Sequence, residues 1–217
     1  MLKLNSFDTI CHEHLEYYSL HSLDYLMRKH NLKIFKITKN DINGGSIRCF
    51  ITHNENLDYD TKKNKKFITK MMNYEKKLKI KQKKIYIRFN NKKLQLKNKL
   101  KEKIFKIIKQ NKKIFVLGAS TKGNTILQFI GINRETIPYA IERNQEKIGA
   151  RTIGTDIKII SENDVKNIEP HFKLVLPWHF KNEIVKRELN YIKAGGKLIF
   201  PLPNLLTINK NNYKKFI

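Results

Sequence analysis

Titratable side chains are densest where the chain has hardly begun. FDTICHEHLEYYSL, residues 7–20, sets Asp8, His12, Glu13, His14 and Glu16 among aromatic residues, with Cys11 beside them. Imidazole titrates near neutrality, so a histidine next to a carboxylate can take a proton from a weakly acidic group, and Glu13 could orient such a base. The competing chemistry is metal ligation. HEHLE is not HExxH, because residue 16 is Glu where the second zinc ligand would stand. An extended HEH puts His12 and His14 on one side of the backbone, but His21, His30 and His53 follow at no recognisable ligand spacing. No metal is expected, and a general base is the more natural reading; a strand-end cluster satisfied by backbone partners is the plain structural alternative.

A second stretch with chemical content is GASTKGNT, residues 118–125. Gly118 ends the apolar run KIFVLG and lets the backbone turn sharply. Ser120, Thr121 and the free N–H groups opening the next helix offer donors and a positive dipole end to an anion, and Lys122 adds a mobile charge. The pattern is neither GxGxxG nor GxxxxGK[ST], so it supports neither a dinucleotide fingerprint nor a Walker loop. Phosphate or pyrophosphate is what it would bind; an ordinary tight turn with a surface lysine is the alternative.

These groups need elements to hold them. Ser19 is placed to cap a helix carrying Leu23, Leu26 and Met27 and ending near His30–Asn31. LKIFKIT and SIRCFIT alternate like strands around NDINGG, which reads as a hairpin. From Tyr59 to about Asn111 the pattern is helical and lysine-rich, with Phe67, Met71, Tyr74 and Leu78 in one stripe and Leu96, Leu100, Ile104, Phe105 and Ile108 in another. KIYIRFNN between them breaks the period and predicts the bend of a helical pair. Beyond Lys112, KIFVLG, PYAIERN, IKII, FKLVLP and GGKLIFP are five short apolar runs separated by turns or helical stretches. The fold class is therefore α/β, a Rossmann-like parallel sheet with its crevice at the strand C-termini. Before the last strand, WHFKNEIVKRELNYIKAGG predicts one helix with Phe180, Ile184, Val185, Leu189 and Ile192 facing inward.

Composition narrows the function classes. A chain of 217 residues with 40% hydrophobic and 10% aromatic content suits a folded protein of one generous domain or two small ones. No apolar run is long enough to span a bilayer and no cleavable leader is recognisable, so a soluble cytoplasmic protein is expected. Cys11 and Cys49 form no CxxC pair and frame no disulfide scaffold. The net charge of +26 comes from lysine accompanied by abundant Ile and Asn, as AT-rich coding supplies by default. Nucleic acid is accordingly not an expected partner, and RNA or membrane-surface attraction of the lysine runs at residues 61–113 stays a minority reading.

FDTICHEHLEYYSLHSL, NGGSIRCFI, IFVLGASTKGNTILQFIGI, IERNQEKIGARTIGT, LVLPWHFKNEI and AGGKLIFPLP, in that order, resemble the C-terminal half of the SAM-dependent sugar C-methyltransferases. Those enzymes methylate a carbon of a nucleotide-linked keto-deoxysugar. The resemblance implies a chemistry: a carbon next to a keto group is deprotonated, and the carbanion attacks the sulfonium methyl in line. By position His14 matches the proposed base, with Glu13 and His12 beside it. Cys11 stands where the family usually has tyrosine, which removes a phenolic hydroxyl from the catalytic set. Gly118, Ser120, Thr121, Lys122, Asn124 and Arg143 are the implied substrate-binding residues, and Trp178 packs against the crevice wall.

In that family a zinc-binding domain and a Rossmann SAM-binding domain come first, and the HEH segment lies late in the latter. The expectation is that this chain begins in mid-domain, at a Met1 inside an interrupted or divided reading frame. SAM is the implied cofactor, with its binding site absent from this chain, and a separate polypeptide carrying the zinc and SAM-binding domains is an implied partner beside the nucleotide-diphosphate sugar. Residues 1–57 are read as the tail of the methyltransferase domain, 58–111 as connecting helices, 112–208 as the Rossmann-like domain and 209–217 as a basic tail. A catalytic fragment, a non-catalytic nucleotide-sugar-binding remnant and a basic RNA-associated protein are the functional readings left open.

Overall fold

The computed structural model describes residues 1–40, 44–165 and 168–217. The chain divides into two compact units, one of Leu2 with His14–Phe89 and the other of Met1, Lys3–Glu13 and Asn90–Ile217. That division differs from the one read in the sequence, since residues 3–13 cluster with the C-terminal part and not with the hairpin.

In the smaller unit Ser19 caps α1 (Leu20–Lys29) through a reciprocal exchange with Ser22, each side chain bonding the other's backbone N–H. The two strands β1 (Leu32–Asn40) and β2 (Ser46–His53) pair antiparallel, as their alternation predicts. Their expected turn lies largely outside the described residues. α2 (Lys62–Leu78) lays Ile68, Met71 and Met72 on a core of Leu20, Ile34 and Ile37. Phe67, expected in that stripe, is instead exposed. The helix ends at Lys79 in the left-handed conformation, φ +56°, and α3 (Lys83–Lys109) begins four residues later. The bend therefore precedes KIYIRFNN, which is helical throughout. Glu75 is buried, and its carboxylate accepts from the backbone N–H groups of Leu20 (2.7 Å) and His21 (3.0 Å) and lies 2.7 Å from His21 Nδ1. It thus satisfies amides that α1 leaves without intrahelical partners.

The larger unit is built on a six-stranded sheet of β3 (Ile114–Leu117), β4 (Tyr139–Glu142), β5 (Lys158–Ser161), β6 (Phe172–Val175), β7 (Lys197–Phe200) and β8 (Leu206–Ile208). Its spatial order is β5-β4-β3-β6-β7-β8, parallel except for β8, which the sequence reading did not include. Renumbered from β3, this is the 3-2-1-4-5-6 order of doubly wound sheets, whose direction of winding reverses between β3 and β6. β3 is a continuous apolar run because both of its faces are buried, and β6 departs from that pattern only at Lys173.

From Asn90 onward α3 buries Leu96, Leu100, Ile104 and Ile107, whereas Phe105 and Ile108, read as part of its stripe, are exposed. The stripe follows the i, i+4, i+8, i+11 line, matching the expected Leu96, Leu100 and Ile104 and differing only at its end, where Ile107 is buried. After β6 the expected single helix is two, Lys181–Arg187 and Leu189–Lys193. Between them Glu188 is buried, and its carboxylate accepts a 2.8 Å bond from the buried Lys173 on β6 and a 3.1 Å bond from Arg187. Ile184, Val185 and Ile192 face inward as expected, but Phe180 is 53% exposed.

Candidate functional site

The winding reversal leaves a crevice beyond the C-terminal ends of β3 and β6, and there the larger unit opens a cleft of about 370 Å³. Leu117 to Ser120 and Pro177 line it together with the charged side chains of Glu142, Arg143, Lys147, Glu162, Glu183 and Arg187. Gly118 turns the chain at φ +88°, and a Cβ there would lie 2.8 Å from Pro177 Cδ, so the close approach of the two strand ends needs a glycine.

Two charged side chains grip the loop that follows. Glu142, at the end of β4, accepts from the N–H of Ala119 (2.8 Å), Arg143 (2.8 Å) and Asn144 (3.1 Å). Lys147 donates to the carbonyl of the same Ala119 at 2.9 Å. Burial pushes the Glu142 carboxyl up, but the three N–H groups and the Lys147 ammonium outweigh it and hold the carboxyl below its ordinary value.

Ser120 caps α4 (Thr121–Ile130), its Oγ accepting from the N–H of Gly123 at 3.1 Å. Thr121, Asn124, Thr125 and Gln128 form one face of that helix, at i, i+3, i+4 and i+7. This face lines a second cleft, about 580 Å³, with Ile10, Cys11, His12, Phe129 and Ile153 opposite and around it. Glu13 is fixed beside it by a 3.1 Å bond from the Thr121 hydroxyl. The two clefts thus flank the N-terminus of α4, with Ser120 in one and Thr121 in the other.

The doubly wound sheet and the hairpin strand before it have a match among known sequences. Residues 41–203 fit the C-methyltransferase C-terminal domain. The chain belongs to that family. It is 29% identical over 203 residues to the C-methyltransferase NovU of Streptomyces niveus, covering 94% of this chain and 47% of the relative. The chain therefore spans about half the length of the relative it matches.

In this member of the C-methyltransferase C-terminal domain family the residues expected to act together are distributed. Gly118, Ser120 and Arg143 line the first cleft; Cys11, His12, Thr121 and Asn124 line the second. Lys122 lines neither. Its Nζ is shut off from solvent without a hydrogen-bond partner, and its charge bears on Asp8 and His179, so it is not the mobile surface lysine expected. His14 falls in the smaller unit, its ring edge-on to Tyr17 with 6.5 Å between centroids. Trp178 is buried as expected, but it also donates its indole N–H to Asp8 Oδ2 at 2.8 Å. Glu142, Lys147, Arg187 and Gln128 escaped the sequence reading. The polar spacing T-x-x-N-T-x-x-Q along α4 was the available signal for Gln128, and a glutamate closing the second strand of the sheet was the one for Glu142. Among the described residues no group of three or more His, Cys, Asp or Glu side chains could hold a metal ion, and no helix is long and apolar enough to cross a membrane.

Proposed function

We propose that this chain is the substrate-binding half of a SAM-dependent C-methyltransferase acting on a nucleotide-linked keto-deoxysugar. The observation that carries the reading is the pair of clefts on either side of the α4 N-terminus. The first presents Arg143, Lys147 and Arg187, interleaved with Glu142, Glu162 and Glu183, around a glycine turn at the sheet's switch point, where backbone N–H groups and the α4 N-terminus offer a setting for a nucleoside diphosphate. The second presents hydroxyl and amide groups of Thr121, Asn124, Thr125 and Gln128 with the ring of Phe129, a setting for a neutral sugar. A substrate laid across the helix N-terminus would have its diphosphate at the dipole end and its sugar beside His12 and Glu13.

SAM does not suit the first cleft. Glu142, placed where such sheets hold a ribose, already has both carboxylate oxygens engaged by backbone N–H groups. SAM is in this reading held by residues other than those described, on a further segment or a partner polypeptide.

In the reaction a keto-sugar carbon gives its proton to an imidazole. His14 is the proposed base by the position it holds in the family's sequence pattern, next to Glu13, while His12 is the imidazole that lines the second cleft. Cys11 brings a thiol to the second cleft, so no phenolic hydroxyl comes from that position. Both cysteines are free thiols, which suits the reducing cytoplasm.

Calorimetric titration with thymidine diphosphate and thymidine diphosphate glucose tests the reading. Saturable binding of both is expected, with the glucose conjugate tighter, and Arg143→Ala weakening both by about tenfold through loss of a charge-assisted contact. Absence of binding by either probe, or equal displacement by arbitrary RNA, overturns it.

A further inference from the structure

Asp8 is 1% exposed, and a buried carboxylate is costly unless paired. It sits in the short helical turn Phe7–Thr9 immediately before Cys11 and His12. Most of what surrounds it comes from the far end of the chain or from α4. Trp178 Nε1 donates to its Oδ2 at 2.8 Å. The Lys122 ammonium lies within electrostatic reach, as do His179 and the α-amino group of Met1. Asp8 Oδ1, Lys122 Nζ and His179 Nδ1 are all closed off from solvent. Burial outweighs the opposing Trp178 bond and Lys122 charge and holds the carboxyl above its ordinary value. Next to Asp8, the Phe7 ring packs on Phe129 with 4.8 Å between centroids. The far end of the segment is tied by Glu13 to Thr121.

We propose that Asp8, bonded to Trp178 and charge-matched to Lys122, is the positioning residue that holds Cys11–Glu13 in the wall of the second cleft. The segment is an irregular strip, exposed at His12, with no strand ladder to fix it. Its place is therefore set by its two ends, Asp8 on one side and Glu13 on the other. Lys122 serves this purpose rather than reaching into the first cleft, which explains why a lysine at the opening of an anion-accepting helix points inward. The functional consequence rests on the reading that the second cleft takes the sugar.

The test uses the full chain with Trp178→Phe, which keeps the ring and removes the N–H, and Asp8→Asn, which keeps an acceptor and removes the charge. The first readout is the rate of Cys11 alkylation by iodoacetamide, followed by peptide mass spectrometry with Cys49 as internal reference. Each variant is expected to speed Cys11 modification up to about tenfold, the release of one hydrogen-bonded anchor, while Cys49 keeps its rate. In Asp8→Asn the emission of Trp178, the single tryptophan of the chain, should shift as its partner loses charge. The second readout is calorimetry: Trp178→Phe should bind thymidine diphosphate as the wild type does and lose the added affinity for the glucose conjugate. A merely structural role would weaken both probes alike. Unchanged Cys11 rates in both variants overturn the anchor whatever the titrations show. If the wild type binds neither probe, the functional reading fails instead, and the alkylation rates still decide the anchor.

Discussion

Glu142→Gln should loosen the first cleft and destabilise the larger unit together. In the wild type one carboxylate accepts three backbone N–H bonds at 2.8, 2.8 and 3.1 Å, one from the loop after β3 and two from the turn after β4. The glutamine amide keeps one acceptor oxygen. If that oxygen stays with Arg143 and Asn144, its NH₂ group meets the N–H of Ala119, donor against donor, and a half-buried amide loses its partner. A hydrogen bond to a charged group contributes about 1.5–3 kcal/mol, and an orphaned buried donor costs about 1–3 kcal/mol, so a net loss of about 2 kcal/mol is expected. Urea unfolding at neutral pH measures it as a lowered midpoint with an unchanged slope. The pH dependence supplies an independent check. The folded-state carboxyl is held below its ordinary value of 4.5, so its contribution is present above that value and disappears as the pH falls through the lower folded-state one. The gap between wild type and variant should therefore close in acid. A gap under about 0.5 kcal/mol at neutral pH, the scatter of ordinary surface substitutions, would refute the reasoning, as would a gap that persists once the carboxyl is protonated.

Gly123→Ala should lower the melting temperature by a few degrees, because a Cβ there would stand 2.7 Å from Leu176 Cδ1 and 3.1 Å from Leu176 Cβ, and overpacking of about 1–3 kcal/mol exceeds the gain in helix propensity; an unchanged or raised melting temperature would count against that packing. Glu75→Ala should cost about 1–3 kcal/mol by stripping the acceptor from the Leu20 and His21 amides, and hydrogen exchange should show those two amides losing protection while the hairpin ladder keeps its own; equal protection in both proteins would mean the Ser19–Ser22 capping box alone secures the helix start.

Features that depend on neighbours along the chain were open to reading from the sequence. Ser19 caps a helix, the two alternating runs pair as a hairpin, and the apolar runs from KIFVLG onward form a parallel sheet. Each follows from a period or a cap whose partners lie within a few residues, which is the range over which side-chain pattern and backbone state are linked. Gly118 belongs with these, because a strand that must turn at once into a helix needs a positive φ whatever packs around it.

The tertiary structure decided where the polar groups point. Successive residues on a helix diverge by about 100°, so Thr121 faces the second cleft while Lys122 turns inward, and only the packing of α4 determines which faces are open. Asp8 and Trp178 are 170 residues apart, and no local pattern links a carboxylate to an indole at that distance. The break after Arg187 likewise follows from a buried partner on another strand, Lys173, which draws Glu188 inward where the helical period alone would have continued. Burial makes such pairs obligatory, since an isolated charge in the interior costs more than the local distortion needed to meet its partner. Sequence periodicity therefore placed the elements, and the requirement to satisfy buried charges set the chemistry between them.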